Sequence, residues 1–329
     1  PPPPPDPPAV APERLSETGL YENGDVVAGM IAADNMPFEP QYPLWTDGAE
    51  KARWIHLPKG ARIDARDTGY WVFPVGTKLW KHFAWNGRNV ETRLLWRARP
   101  SQWVFATYVW NEEQTEAFLA PASGIRNHYQ VRPGAAHSIP GVADCVGCHE
   151  AGGTPVLGFN ALQLSDDRDP LAPHGRPLPE GALTNKGLHQ RDLLYPRRPD
   201  LVRHPPRLKA RSPRESAALG YLSTNCGSCH NERGPLAALG MHLQYSPYTR
   251  KYEPEVGWST AVGVNGHYVP PGASPLDVRR IRPGSVEASA IVYRMSSRRP
   301  ASQMPPIGTA IVDGEGLGLV KAWIGEDLK

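Results

Sequence analysis

Short runs of aromatic and β-branched residues occupy the chain between residues 40 and 120 and end at proline or at turn residues. The run at 79–85 is followed by Asn86 and Gly87, the dipeptide that favours a two-residue hairpin turn. Similar runs lie at 54–58, 70–74, 92–97 and 103–110. Strands of this length and spacing predict an antiparallel β-sandwich-like domain over residues 40–138, with most of the tryptophans in its core.

The pattern changes near residue 139, beyond which strand signals fade and short helical segments alternate with proline-rich loops. Ser212 followed by Pro213 is typical of a helix start, and the stretches at 288–296 and 316–324 predict two further helices. The predicted fold class is therefore mixed: the β-rich domain is followed by two mainly α-helical, loop-rich domains, at 139–212 and 213–329.

A proline tract at residues 1–8 predicts an extended polyproline II arm. This arm and a lead-in segment occupy residues 1–39 of the predicted domain scheme. Two interpretations stay open: a tether between an anchor and the folded body, and an arm that docks on another subunit and so supports self-assembly.

Composition narrows the classes of protein that fit this pattern. The chain has 37 prolines and 32 glycines among 329 residues, which predicts short elements and much ordered loop because proline removes a backbone donor. A formal net charge of +3 is too small to indicate nucleic-acid binding. No apolar run approaches the roughly 20 residues of a membrane-spanning helix, so no transmembrane segment is expected.

The four cysteines fall into two copies of one motif, Cys-x-x-Cys-His, at residues 145–149 and 226–230. In this motif two thiols one helical turn apart bond to the vinyl groups of a haem, and the adjacent histidine binds the iron. Zinc sites and thioredoxin-like redox pairs do not require a histidine after the second cysteine. The spacing therefore predicts two haem c groups, attached through the four residues Cys145, Cys148, Cys226 and Cys229, with His149 and His230 as iron ligands.

The second axial ligand of each iron is predicted from a weak internal repeat. Residues 303–306 place Met304 before two prolines and ahead of an apolar helix, as in small cytochromes c, so Met304 is assigned to the second haem. Residues 203–206 resemble this segment with a histidine in place of the methionine, which makes His204 the candidate for the first haem. His189 and His174 are alternatives, and an open first iron is a further one.

Several segments together resemble a family of bacterial dihaem c-type cytochromes. They include 43–49 and 73–78 in the β-rich region, 108–112, the two haem motifs, and 293–298 leading to 304–306. The resemblance spans most of residues 40–325 and is weakest over 160–212. It implies an N-terminal β-rich region, C-terminal tandem cytochrome c-like haem domains, and export from the cytoplasm.

These features predict an exported electron carrier with two haems and redox proteins as partners. Because haem c is attached after export, the expected location is the periplasm, the outer membrane or the exterior of the cell. The main alternative is a dihaem peroxidase-type enzyme with one open iron. A third hypothesis is a conducting filament assembled through the proline-rich arm, since head-to-tail contacts that do not close produce filaments.

Overall fold

The computed structural model describes residues 8–244 and 254–328, without the side chains of residues 254–257. The predicted polyproline arm therefore lies outside the described residues, apart from Pro8. The lead-in after it makes two short 3-10 turns, Leu15–Thr18 and Glu22–Gly24.

A six-stranded antiparallel sheet confirms the predicted β-rich region. Its strand order is β1-β2-β4-β5-β6-β7. The bounds are β1 Asn35–Pro37, β2 Glu50–His56, β4 Lys78–Trp85, β5 Arg88–Arg99, β6 Gln102–Trp110 and β7 Ala117–Leu119. The predicted hairpin turn joins β4 to β5, where Asn86 and Gly87 take φ values of 51° and 73°. Positive φ at both positions is what a type I′ turn requires.

The second sheet of a sandwich is not found among the described residues. The other strands form two small pairs, β3 Ile63–Asp64 with β10 Leu194–Tyr195, and β8 Ile125–Arg132 with β9 Ala135–Ile139. The run at 70–74, predicted as a strand, makes only an isolated bridge between Val72 and Asp64. Non-strand segments cover the large sheet instead.

The two faces of the sheet bury different parts of the chain. On one face Trp80, Leu94 and Tyr108 pack against Leu15 and Leu20 of the lead-in. On the other face Ile55 and Leu79 share a core with residues far along the chain, namely Phe73, Val156, Phe159, Leu164, Leu188 and Leu201. Most of the apolar side chains at 156–201 are thus packed onto the sheet, whereas Leu162 and Ala172 belong to the core of the C-terminal helices.

The described residues beyond 139 contain short helices joined by long loops. The helices are α1 Val142–His149, α2 Asn185–Gln190, α3 Asp200–Arg203, α4 Pro213–Asn225, α5 Pro254–Ala261, α6 Ala290–Ser296 and α7 Gly314–Ala322. The expectation of mainly α-helical tandem cytochrome domains is not supported, because α4, the longest, has only 13 residues. Frequent proline and glycine explain the short helices. The boundaries drawn at 139 and 213 stay predictions.

Helices α4, α6 and α7 enclose a second core around Leu222, Trp323 and Ile324. Helix α4 begins as predicted, with Ser212 accepting a hydrogen bond from Glu215 N–H (3.1 Å) and Pro213 in the first turn. Helices α4 and α7 approach so closely that only glycine fits at position 316. A Cβ added to Gly316 would lie 2.3 Å from the Tyr221 ring. As expected, none of the helices described is long and apolar enough to span a bilayer.

Candidate haem-binding centre

The first Cys-x-x-Cys-His motif forms the last turn and a half of α1. Gly141 N–H donates to the Asp144 carboxylate (3.0 Å), which helps to start the helix just before the motif. Because Cys145 and Cys148 are three residues apart on one helix, both thiols lie on the same face. The helix packs against β6 of the large sheet, where the rings of His149 and Phe105 lie 5.5 Å apart.

The imidazole of His149 is held in the form that a metal ligand needs. Its Nδ1 lies 2.6 Å from the carbonyl oxygen of Pro155. Since a carbonyl can only accept a hydrogen bond, Nδ1 carries the proton and Nε2 keeps its lone pair in the neutral ring. Burial lowers the pKa of His149 to about 4, despite the opposing effect of the Pro155 hydrogen bond. The ring is therefore neutral at pH 7.

The second motif follows the C-terminus of α4 as a compact turn. Cys226 and His230 N–H groups donate to Leu222 and Cys226 carbonyls, both at 2.9 Å. The buried Asn231 side chain donates to Gly227 and Ser228 carbonyls and accepts from Gly234 N–H at 2.7 Å. These bonds fix the turn that carries His230.

His230 is the counterpart of His149. Burial, followed by the nearby Arg294 and Arg280 guanidinium groups, lowers the pKa of His230. Its buried Nδ1 makes no hydrogen bond of good geometry with the described residues, although the Met241 backbone acts on the ring and opposes the lowering of its pKa. A buried polar group without a partner is uncommon and calls for a specific explanation.

The two motifs lie side by side, although 81 positions separate Cys145 from Cys226. The thiols of Cys148 and Cys229 lie close enough to interact, which raises the pKa of Cys148, and all four cysteines are free thiols. The segments that follow the two motifs are also in close contact with each other. A Cβ added to Gly234 would lie 2.9 Å from Ala151 O and 3.1 Å from Cys229 O, so a side chain there would part the motifs.

Met304 lies across a narrow cleft from Cys226. The cleft is lined by Trp45, Tyr221, Asn225, Cys226, Met295, Arg298, Met304, Pro305 and Asp313. A hydrogen bond from Met304 N–H to Arg294 O (3.0 Å) ties the methionine loop to α6. The structure thus brings together the thiol and the thioether that the sequence assigned to the second haem.

A loop of the β-rich region closes this cleft, which the sequence did not predict. Trp45 N–H donates to the Asn225 side chain at 2.9 Å, and the Trp45 indole donates to Ile311 O at 3.3 Å. Two residues on, Asp47 Oδ1 accepts from the N–H groups of Ala310 and Ile311, at 2.7 and 2.9 Å. The only sequence signal was the segment 43–49 within the family resemblance, which implied no chemistry.

A buried ionic network holds that loop against the sheet. His137 lies between two carboxylates, with Nε2 3.0 Å from Glu91 Oε1 and Nδ1 3.5 Å from Asp47 Oδ2. Glu91 also pairs with Arg93 at 2.5 Å. Burial opposes protonation of His137, but the two carboxylates outweigh it and raise the pKa of His137.

The candidate ligands for the first haem have different surroundings. His204 is exposed at the end of α3, and its imidazole makes no hydrogen bond within the described part of the chain. His189 lies on α2, and its buried Nδ1 has no hydrogen-bond partner among the residues that the structure describes. His174 lies beside the Met304 cleft, where its ring nitrogens lie 2.9 Å from Asp313 and 3.2 Å from Glu315. With both nitrogens engaged, His174 is a poor ligand; His204 stays a prediction.

The chemistry of the donors fits a covalently attached haem at each motif. Each motif has two free thiols beside a partly buried histidine of lowered pKa, and the second also faces a thioether. The enclosed space of the cleft, about 10 Å³, has room for about one water molecule. Cys226 and Met304 would hold the second haem only if this cleft were wider than it is in the structure. A tetrahedral zinc site is not formed: among the described residues no three His, Cys, Asp or Glu side chains converge as metal ligands.

No protein-family model, curated protein or solved structure matches the chain. The resemblance to dihaem cytochromes consequently stays a prediction that rests on the motifs.

Proposed function

We propose that this protein is an exported electron carrier with two haem c groups, one on α1 and one on the turn after α4. The observation that supports it best is the contact between the two motifs, Cys148 against Cys229. Electron transfer slows steeply with distance, so two haems attached at adjoining motifs suit rapid exchange of an electron. Haem iron, when bound, supplies the one-electron change between the ferrous and ferric states.

The residues of the chain have separate roles in this proposal. The imidazoles of His149 and His230 are neutral at pH 7, so no proton has to be displaced before they bind iron. The Pro155 carbonyl orients the ring of His149, as second-shell hydrogen bonds do at metal sites. Met304 supplies a thioether to the second haem, and a methionine ligand raises the reduction potential relative to a second histidine.

With His204 on the first iron, the two potentials differ and the electron rests on the second haem. Attachment of haem c after export assigns the protein to the periplasm, the outer membrane or the cell exterior. Redox proteins are the partners that such a carrier requires.

Haem content tests the proposal directly. The protein, expressed with a haem c maturation system and exported, is expected to contain two haems per chain by pyridine haemochrome assay. The double substitution Cys145→Ala and Cys148→Ala should leave one, as should the matched pair Cys226→Ala and Cys229→Ala. Wild-type protein that matures without haem would reject the proposal.

The contact between the motifs makes a second, sharper prediction. Two neighbouring haems couple their transition dipoles, so the wild-type Soret circular dichroism should show a two-signed couplet that both one-haem variants lose. A low-temperature EPR spectrum of the oxidised protein should show two low-spin irons. A high-spin iron that reacts with peroxide would instead favour the peroxidase alternative.

A further inference from the structure

Three basic side chains stand directly opposite one another on three adjacent strands of the large sheet. The strand register pairs Arg53 of β2 with Lys81 of β4, and Lys81 with Arg93 of β5. Side chains at such positions lie about 5 Å apart at Cβ, and like charges there are destabilising. Lys51, two residues before Arg53, projects from the same face. We call Lys51, Arg53, Lys81 and Arg93 the basic crevice.

Among the described residues, carboxylates form ion pairs with two of these four cations. Arg53 pairs with Glu39 at 2.7 Å, and Arg93 pairs with Glu91 at 2.5 Å. The ammonium groups of Lys51 and Lys81 have neither a hydrogen bond nor an ion pair within the described residues; Lys81 only lies 4.8 Å from the centre of the Phe83 ring.

The two lysines lie deep without being sealed from solvent. Each keeps partial solvent exposure, although protein atoms surround it. Burial, with Arg53 adding to it, lowers the pKa of Lys51 to about 7 and that of Lys81 well below its usual range. An uncompensated buried charge is costly, and a bound anion removes that cost.

The basic crevice adjoins the first haem motif. Phe105, which lies against the ring of His149, projects from the same face of β6 as Thr107, and Thr107 is opposite Arg93. One step of two residues along a strand is about 7 Å. The positive charges of Lys81 and Arg93 are also close enough to His149 to contribute to the lowering of its pKa.

We propose that the basic crevice binds a carboxylate group and that its source is the propionate side chains of the haem on α1. The position beside His149, the two unpaired ammonium groups and the remaining solvent access all suit an acidic group at the edge of a porphyrin. The assignment of the source rests on the proposed function, whereas the anion site does not. A small carboxylate from solution is the other source with the same chemistry.

The test compares wild type with the double variant Lys51→Gln and Lys81→Gln, and with Lys59→Gln as a control. Lys59 is an exposed lysine on the loop after β2, so its loss changes net charge without touching the crevice. The measurements are haem content, the midpoint potential of each haem, and the thermal midpoint in acetate against chloride at equal ionic strength. The single variant Lys51→Gln replaces the double variant if that one fails to fold.

Haem propionates in the crevice predict a lower midpoint for the first haem in the double variant, because nearby positive charge favours the reduced iron. Lys59→Gln should leave that midpoint unchanged, and acetate should not stabilise the wild type. A second outcome is an unchanged midpoint potential together with stabilisation by acetate in only those proteins that keep both lysines. That result would support the anion site but reject haem as the source of the carboxylate. If neither the midpoint potential nor the thermal midpoint responds, the inference is overturned. If wild-type protein carries no haem, the proposed function fails, and the acetate measurement alone decides the crevice.

Discussion

Replacing Glu91 with glutamine should destabilise the protein strongly and in a way that depends on pH. The Glu91 side chain is fully buried and touches Arg93 at 2.5 Å and His137 at 3.0 Å. Burial by itself raises the pKa of this carboxyl group, but the Arg93 and His137 charges outweigh it and lower the pKa from 4.5 to about 2. The ionised carboxylate is therefore stabilised by folding.

The size of the effect follows from that shift. A change of about 2.5 pKa units corresponds to about 3 kcal/mol of folding free energy, and breaking a buried ion pair costs about 3–5 kcal/mol. Because the folded pKa is depressed, this stabilisation is present above about pH 4.5 and is lost as the pH falls towards 2. Glu91→Gln should thus lose about 3 kcal/mol at pH 7 and progressively less below pH 4.5.

Urea unfolding followed by tryptophan fluorescence, repeated from pH 7 to pH 3, measures this difference. Glu113→Gln is the matched control, since Glu113 is an exposed carboxylate in the turn after β6. The same loss at pH 3 as at pH 7, or no loss at pH 7, would refute the electrostatic reasoning. His137 contributes the opposite pH dependence. Its raised pKa stabilises the folded protein below about pH 6.5, and this stabilisation is lost as the pH rises through the pKa of the folded state.

Gly316→Ala should lower the thermal midpoint, because its Cβ would clash with the Tyr221 ring, whereas Gly318→Ala on the same helix meets nothing within 4 Å and should stabilise by about 0.5–1 kcal/mol. Equal effects would show that helix propensity, and not the α4–α7 contact, governs both sites. Met304→Leu should lower the midpoint potential of the second haem and abolish the methionine–iron absorption band. Met295→Leu, on the same cleft, should do neither; the reverse result would make Met295 the ligand.

The features that the sequence predicted well are those with local causes. The turn at Asn86 and Gly87 follows from residues that accept positive φ, and the start of α4 follows from Ser212 and Pro213. The two Cys-x-x-Cys-His motifs are equally local patterns, because covalent haem attachment requires a fixed spacing along the chain, but the two haems stay a prediction.

The features that it missed depend on contacts between distant segments. Nothing local in the run at 70–74 shows that it lacks a pairing partner, and proline spacing alone does not show that residues 156–201 share a core with the sheet. His204 stays a prediction, because the repeat that indicates it is a local pattern whereas a distal ligand depends on where a side chain lies in space.

By itself, the sequence predicted strands over 79–85 and 92–97 and the start of α4, because neighbouring residues dictate each of them. Only the tertiary structure placed Cys148 against Cys229 and Trp45 over the cleft of Met304. It also brought Lys81 and Arg93 close to His149. Such arrangements arise from burial of apolar surface and from strand register, which act between residues far apart in the chain and leave no local pattern.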